Sequence, residues 1–472
     1  MTLLEDALFG RIPLPRADLP GPAHARLLGW RPHLVAFMRD PLAALQRLYR
    51  DHGELCGLTA GNAAMAFAFG PESNHALLTD TARTAPFLAL LPTPPGSAAA
   101  RFVDNIAFSV SGERHAEERR ILGPPLHRRR LDRWVAVIDA IARRTVDALR
   151  PGQIIDAPAF FQVFTLEVIL RVVFGVDTED PARAGEAAAI RTFLTTVLEE
   201  VGDPAATLLP FDLPGLPYRR LLRHFERFEA EALRLAAAPA VESLLPDLDV
   251  PPREAFPARL MTLLTAGHET TYATIAWTLA LLAQHPHELA LLADELRVLG
   301  PDPAFDALWS APRLDAVLKE SLRLFPPAAY GARRLSAPFE LAGVILPPGG
   351  VVVYSHFITQ RMPRCFDAPR AFRPDRWTES RPSPWSYLPF GTGPRACPGA
   401  DFARVELKIL LARLLTRLWP ELPPGAVITP RLRLNLRPQR LPLRLLPAGD
   451  RLPRPTHAGP AWADLVDSPR PG

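Results

Sequence analysis

The stretch FGTGPRACPGADFA, from Phe390 to Ala403, carries one of only three cysteines in the 472-residue chain. Three glycines let the backbone around Cys397 take positive φ and approach a ligand closely: Gly391, Gly393 and Gly399. Backbone N–H groups near the sulfur favour a thiolate, and so does the positive end of a helix that begins near Ala400. The stretch therefore indicates an anionic sulfur held beside a helix terminus.

Cys397 could be a buried structural thiol, a nucleophile or a metal ligand. A nucleophile needs a base, and none lies nearby in sequence, although a distant one could fold close. Zinc needs further Cys or His ligands at short spacing, and those are absent. Arg395 adds a cation that can pair with an anion in two-pronged fashion. The remaining interpretation is a single thiolate ligand beside a large anionic cofactor, and haem fits it.

A second candidate site is Ala266-Gly267-His268-Glu269-Thr270-Thr271, in the middle of the apolar run Leu260–Ala283. Glycine in a helix interior is unfavourable by about 1 kcal/mol relative to alanine. A small residue lets a flat cofactor or a small molecule approach the backbone, and a threonine hydroxyl can replace a loosened helical hydrogen bond. On its own, the same stretch is better explained as an ordinary Glu–Thr pair on a helix flank.

Two further pairs have helical spacing. Glu320 and Arg323 are three residues apart, and His115 and Arg119 are four apart, so each pair lies on one helix face. Such pairs are also common on solvated helix surfaces, where they stabilise by only a few tenths of a kcal/mol.

The elements that must position these residues are mainly helical. Helical spacing dominates from Leu34 to Ala283, and His285-Pro286 should end the long helix. Further helices are predicted over Leu131–Leu149, Phe161–Phe174, Glu288–Leu299, Leu314–Leu324 and Ala403–Leu418. Phe339–Val353 and Leu434–Leu446 have a β-like pattern. The fold class predicted is mainly α with a small β part.

With these elements in place, Phe390-x-x-Gly393-x-Arg395-x-Cys397-x-Gly399 resembles the haem-binding signature of the cytochrome P450 family. Phe402, Ala403 and Glu406-Leu407-Lys408 extend the likeness, and the other motifs follow in the family's order. The resemblance runs from about Ala36 to Leu446, with His115 where many members have Trp. It implies a P450 fold with the haem between the long helix and the helix after Cys397.

The resemblance also implies residue roles. Cys397 would be the iron ligand, Glu269 and Thr270 would deliver protons, and Arg376 would join Glu320 and Arg323 in clamping the loop. His115, Arg119 and Arg334 would contact the haem propionates, with the adjacent Arg333 as the alternative to Arg334. The remaining cofactor contacts predicted are Ala266, Gly267, Phe390, Gly391, Arg395 and Gly399.

The function implied is a haem b monooxygenase that inserts one oxygen atom from O2 into a hydrophobic molecule. Apolar segments at Ala82–Ser111, Leu194–Tyr218 and Pro327–Tyr330 are predicted to line the pocket, beside the turn at Ala266. They favour a terpenoid, fatty acid or steroid. The alternatives are a peroxide-driven peroxygenase, a non-redox isomerase of the same fold, and a haem-based sensor.

Partners and location follow from composition and motifs. No flavin or iron–sulfur segment follows the haem motif, so electrons are expected from separate proteins, a ferredoxin and its reductase. His127-Arg128-Arg129-Arg130 is either a docking surface for an acidic ferredoxin or an ordinary solvated basic run. Net charge of +4 without a dense basic stripe disfavours nucleic acid. Three scattered cysteines and the absence of a leader or membrane anchor predict a soluble, cytoplasmic bacterial monomer.

We predict three regions along the chain. Residues 1–35 form a Pro-rich arm, residues 36–446 form a single domain, and residues 447–472 form a Pro-rich tail that is frayed.

Overall fold

The helices dominate the computed structural model, which describes residues 15–26, 28–87, 93–201, 211–237 and 242–468. The first nine are α1 Arg31–Arg39, α2 Pro41–His52, α3 Pro71–Thr79, α4 Ala98–Asn105, α5 Gly112–Leu126, α6 Arg128–Asp147, α7 Ala157–Val173, α8 Ala184–Val201 and α9 Pro217–Ala237. The later ones are α10 Leu245–Leu248, α11 Phe256–Gln284, α12 Pro286–Leu299, α13 Phe305–Ser310, α14 Pro312–Leu324, α15 His356–Thr359, α16 Arg376–Glu379, α17 Ala400–Leu415 and α18 Pro460–Ala463. Short 3₁₀ turns occupy Pro181–Arg183, Arg253–Ala255 and Gly393–Arg395.

Proline marks where many of these helices start. Helices α2, α12 and α14 each have Pro within their first two positions, where its missing N–H removes no helical hydrogen bond. The long helix α11 ends at Gln284 with His285 as its C-cap, as the following Pro286 predicts. It begins at Phe256, one turn before the predicted Leu260. Helix α17 covers Ala400–Leu415 rather than Ala403–Leu418, because it starts directly after Gly399.

The β part is small and divided. Its strands are β1 Leu55–Gly57, β2 Met65–Ala68, β3 Thr84–Pro86, β4 Ile154–Asp156, β5 Gly331–Leu335, β6 Phe339–Leu341, β7 Val344–Leu346, β8 Val351–Tyr354, β9 Leu418–Glu421, β10 Pro430–Leu432, β11 Leu436–Pro438 and β12 Pro442–Pro447. One sheet has the order β1-β2-β8-β5-β3, and β4-β12-β9 form another. The hairpins β6-β7 and β10-β11 make up the rest of the β part in the described residues. The predicted mainly α fold with a small β part is confirmed.

Helix α11 is the centre of the core. Nearly all of its residues are buried, and it packs against α7, α14 and α17 and against the β10-β11 hairpin. The indole N–H of Trp277 donates to the Leu436 carbonyl at 3.0 Å, which fixes the hairpin against the helix. Within the described ranges, no helix is long and apolar enough to cross a membrane.

The C-terminal residues differ from the expected frayed tail. Trp462, Leu465 and Val466 are buried in the main core, and the amide of Asp467 donates to the Arg370 carbonyl. The apolar side chains in and just after α18 pack against the core, and the high proline content of the segment gives no indication of this in the sequence. The N-terminal arm is also attached from Pro15 onward, since Ala17 donates to the Gly61 carbonyl. The boundaries of arm, domain and tail stay a prediction.

Candidate functional site: the Cys397 loop and the centre of helix α11

The Cys397 loop is held in shape by its own backbone. The amide of Cys397 donates to the Phe390 carbonyl at 2.7 Å, and that of Ala396 donates to the Gly393 carbonyl at 3.1 Å. Gly391 and Gly393 have φ values of +65° and +71°, which explains glycine at both positions. The loop therefore presents Cys397 one turn before α17 begins at Ala400.

Burial and two neighbouring groups act on the protonation of the Cys397 thiol. Much of its surface is accessible, yet protein surrounds the thiol closely enough for burial to raise its pKa. The amide of Gly399 and the charge of Arg119 act in the opposite direction and lower the pKa. A thiolate here would be stabilised further by a cationic centre bound to the sulfur.

A buried ion-pair network supports the chain just before this loop. The carboxylate of Glu320 accepts from Arg323 at 2.9 Å and from Arg376 at 2.9 Å, and it also accepts from the indole of Trp377 at 3.1 Å. Burial alone would raise the pKa of Glu320, but the two arginines lower it below its ordinary value. Arg323 also donates to the carbonyls of Pro369 and Ala371. The predicted group of Glu320, Arg323 and Arg376 thus exists and fixes the irregular segment before the loop.

Cationic side chains converge beside the Cys397 loop. Arg395 donates to the Val110 carbonyl and to the Ser111 hydroxyl, which joins the loop to the start of α5. Burial, together with the charges of Arg395, Arg119 and Arg333, lowers the pKa of His115 to about 4. We call Arg119, Arg333 and Arg395, together with the neutral His115 beside them, the cation cluster. In the part of the chain that the structure describes, none of its arginines forms an ion pair with a carboxylate, so the cluster suits an anionic ligand.

Arg333, rather than Arg334, belongs to this cluster. Neighbouring residues of strand β5 point to opposite faces of the sheet. Burial lowers the pKa values of Arg395 and of His356, and the charge of Arg333 lowers both further. The buried Nε2 of His356 has no partner among the described residues. Arg334 instead lies over the ring of Phe87, 4.9 Å from its centroid. The sequence could not decide between the two, because their order along the chain does not reveal which face each occupies.

The centre of α11 has a partly accessible face. Ala266 and Thr270 are only half-buried, although most of the helix around them is fully buried. They are four residues apart and therefore share a face. The Thr270 hydroxyl donates to the Ala266 carbonyl at 2.6 Å, and that of Thr271 donates to the Gly267 carbonyl at 2.9 Å. The expected use of threonine hydroxyls on helical carbonyls is present, within an unbroken helix.

Glu269 is held by the β10-β11 hairpin. Its carboxylate accepts from the Asn435 amide at 2.8 Å and from the Tyr272 hydroxyl at 3.3 Å, and it lies 3.2 Å from Arg437. These partners were missed, because nothing in the sequence links position 269 to a hairpin more than 160 residues later. Arginines alternate with other residues along that hairpin, and this pattern was the sequence feature that could have indicated an acidic partner.

Gly267 has a packing explanation. A Cβ atom there would lie 2.8 Å from Cδ1 of Ile169 on α7, so the absence of a side chain lets the two helices approach. The predicted contact between Gly267 and a cofactor stays a prediction, as does that of Phe390, whose ring lies under Arg404.

The basic run after α5 is partly neutralised. Arg128 forms ion pairs with Asp132 and Asp306, and Arg130 lies 3.7 Å from Asp247. Arg129 is exposed and forms no ion pair within the described residues. The run is therefore less basic than its sequence indicates.

An apolar recess lies between α4, α9 and the first half of α11. Phe102, Phe225, Phe228 and Met261 line it, and the ion pair of Arg101 and Glu229 stands at its rim. Helix α4 belongs to the predicted lining segment Ala82–Ser111. Residues 202–210 of the predicted segment Leu194–Tyr218 lie outside the described residues.

A thiol on a loop that precedes a helix, a cation cluster beside that loop and a long buried helix packed against the same following helix suit a haem protein of mainly α fold. The cytochrome P450 family model matches residues 20–232 and 252–443. The protein named cytochrome P450 135B1 from Mycobacterium tuberculosis is 34% identical over 337 residues, covering 67% of this chain and 68% of the relative. The chain belongs to the cytochrome P450 family.

Two other comparisons agree. Pentalenene oxygenase of Streptomyces avermitilis is 28% identical over 359 residues, covering 70% of this chain and 77% of that protein. The solved structure of retinoic-acid-bound cyanobacterial CYP120A1 has a TM-score of 0.78 at 24% identity and covers 91% of this chain and 99% of that one. The last comparison shows the fold.

Family membership indicates a haem-thiolate cofactor and a monooxygenase type of oxidoreductase. The residues present fit that cofactor. The cation cluster suits two carboxylates, the buried Nε2 of His356 needs a partner, and the accessible Cys397 thiol can serve as a metal ligand. Among the described residues, no group of three metal-binding side chains offers another centre.

Proposed function

We propose that this chain is a haem b monooxygenase that uses O2 to insert one oxygen atom into a hydrophobic small molecule. The cation cluster is the observation that carries the proposal, because charged arginines without carboxylate partners require an anion in this place. Cys397 is the iron ligand, and His115, Arg119, Arg333 and Arg395 hold the propionates. When bound, the haem supplies oxygen activation and substrate oxidation.

The chain's own residues exclude water and handle protons. Ala266 leaves room on the accessible face of α11, and Thr270 places a hydroxyl beside it. Glu269 is fixed one residue away by Asn435 and Arg437 and relays protons from the hairpin side. Removal of a positioned proton donor lowers rates by about 10²–10⁴-fold in general acid–base catalysis. This acid–alcohol pair favours O2 over peroxide as the oxidant.

The substrate is proposed to be a terpenoid, fatty acid or steroid. Apolar packing between α4, α9 and α11 supports this class, since three phenylalanines and a methionine meet there. Pentalenene oxygenase is named for a hydrocarbon of the same kind, which is consistent with the terpenoid option. Electrons are proposed to come from a separate ferredoxin and reductase.

The reduced carbon-monoxide difference spectrum of the purified protein tests the proposal. A red-shifted Soret band of thiolate-ligated haem is expected, and Cys397→Ala should abolish it. Loss of the band in Cys365→Ala as well would contradict the assignment, because Cys365 is not part of the Phe390–Gly399 loop. Substrate-binding spectra with terpenoids, fatty acids and steroids then select the class. Thr270→Ala should consume reductant without forming product.

A further inference from the structure

The β10-β11 hairpin carries more positive charge than the site described so far uses. Arg431 on β10 and Arg437 on β11 are directly opposite each other in the register of the two strands, and Arg433 follows at the turn. Side chains alternate between the two faces of a strand, so Arg431 and Arg437 share one face. Leu432 and Leu436 are buried on the other face, in the main core. The arginines therefore occupy the polar face of the hairpin.

Three guanidinium groups act on one another in this hairpin. Burial, together with the charges of Arg433 and Arg437, lowers the pKa of Arg431. Like charges that lie directly opposite each other on two strands destabilise the pairing of those strands. The arrangement is therefore unfavourable by itself, and carboxylates placed among the arginines would relieve it.

Glu269 supplies a carboxylate to one of the three arginines. It lies 3.2 Å from Arg437 and also accepts from Asn435 and Tyr272, so both of its carboxylate oxygens already have partners. Glu269 therefore neutralises Arg437 and leaves the charge of Arg431 uncompensated.

Arg431 and Arg433 keep their charges without a protein partner. Within the described ranges, neither guanidinium forms a hydrogen bond or an ion pair. Arg431 is half-buried and Arg433 is exposed. Later arginines of the same C-terminal region differ, because Arg444 and Arg451 both pair with Glu421. Two adjacent guanidinium groups that ligands can reach suit a carboxylate, which binds the planar arginine fork through two oxygens.

The hairpin lies beside segments that are proposed to hold the substrate. The Trp277 indole fixes Leu436 to α11, and the Leu436 amide donates to the Pro327 carbonyl at 2.8 Å. Pro327 begins one of the apolar segments predicted to line the pocket. At the turn of the hairpin, the side chain of Leu434 is 41% exposed and adds apolar surface next to Arg433. Such a border between apolar surface and positive charge suits a molecule that has an apolar chain and one anionic end.

We propose that the substrate is an amphipathic carboxylic acid, either a fatty acid or an acidic terpenoid, and that its carboxylate binds between Arg431 and Arg433. The inference rests on the proposed monooxygenase function and narrows its substrate class, because a neutral steroid or hydrocarbon supplies no anion to the hairpin. Binding forms only ion pairs and hydrogen bonds, and the carboxylate stays chemically unchanged. Glu269 keeps its contact with Arg437 and its place beside Thr270.

Calorimetric titration of the haem-loaded protein with dodecanoic acid and with dodecanol tests the site. The two molecules share one apolar chain and differ in the anionic group. Charge-assisted hydrogen bonds to the carboxylate should make the acid bind about 10- to 100-fold more tightly than the alcohol. Arg431→Gln should remove most of this preference. Equal affinities of the wild-type protein for the acid and the alcohol would overturn the proposal.

Arg440→Gln is the matched control for the loss of one positive charge. Arg440 is exposed and lies just after β11, outside the opposed pair of arginines. This variant should prefer the acid as strongly as the wild type does. An equal loss of preference in the Arg431 and Arg440 variants would show a general charge effect and refute the site. If Arg431→Gln does not fold, the substitution of exposed Arg433 by Gln carries the same test.

Inorganic phosphate distinguishes a substrate site from a site for free anions. Phosphate at the concentration of the acid should neither raise the melting temperature nor displace the acid, because it lacks the apolar chain. A phosphate effect as large as that of the acid, and lost in Arg431→Gln, would overturn the proposal.

The carbon-monoxide spectrum separates this inference from the function on which it rests. A thiolate band together with equal affinity for acid and alcohol would refute the carboxylate site alone. A preference for the acid without that band would contradict the monooxygenase function and leave the binding site standing.

Discussion

The carboxylate of Glu269 lies 3.2 Å from the guanidinium of Arg437, in a hairpin that is remote in sequence. Because Asn435 and Tyr272 bind the same carboxylate, its position beside Thr270 depends on the hairpin. The β10-β11 hairpin is therefore a part of the site.

Arg437→Gln should loosen Glu269. The buried carboxylate loses its charged partner, so the unfolding free energy should fall by about 1.5–3 kcal/mol. Glu269 would also move from Thr270, and reductant consumption without product should increase. Chemical denaturation and product stoichiometry measure the two effects. Arg444→Gln is the control, since Arg444 pairs with Glu421 in another sheet; equal uncoupling in both variants would contradict the local role of Arg437.

Local motifs were sufficient to predict the helices and the loop that carry the candidate site residues. They could not predict contacts between residues that are distant in sequence. The Cys397 loop, α11 and the Glu320–Arg323 pair are each set by neighbouring residues, so spacing was sufficient. The choice between Arg333 and Arg334 depends on how β5 pairs with β8, which single-strand patterns do not determine. The burial of Trp462 likewise depends on long-range packing and could not be deduced from a Pro-rich tail.

Arg333→Leu should weaken haem binding, whereas Arg334→Leu should not. Arg333 acts on His115, Arg395 and His356, and Arg334 is stacked on Phe87. Loss of a charge-assisted hydrogen bond of 1.5–3 kcal/mol corresponds to haem release that is about 10- to 100-fold faster. The rate of haem transfer to an acceptor protein measures it. Faster release from the Arg334 variant alone would reverse the assignment.

Glu320→Gln should destabilise the fold and release the Cys397 loop. Two buried arginines would lose their carboxylate, and breaking a buried pair is unfavourable by about 3–5 kcal/mol. Arg323 and Arg376 depress the pKa of Glu320, so its contribution is complete above about pH 4.3 and is lost as the pH falls through the lower folded value. Melting temperature followed from neutral to acid pH tests both statements.

Glu379→Gln provides the comparison for that experiment. Glu379 is exposed and pairs with Arg373 on the same segment. A surface pair of this kind contributes about 0–1 kcal/mol. If the two variants melt alike, the buried group of Glu320 is not the clamp.

Gly267→Ala separates packing from cofactor contact at the centre of α11. The added methyl group would lie 2.8 Å from Cδ1 of Ile169, and overpacking of this kind destabilises by about 1–3 kcal/mol. Ile169→Val removes that terminal methyl, so the double variant should recover most of the lost melting temperature. The carbon-monoxide and substrate-binding spectra of the double variant should match the wild type, because the glycine faces α7. Restored melting with a persistently altered spectrum would show instead that Gly267 also borders the cofactor.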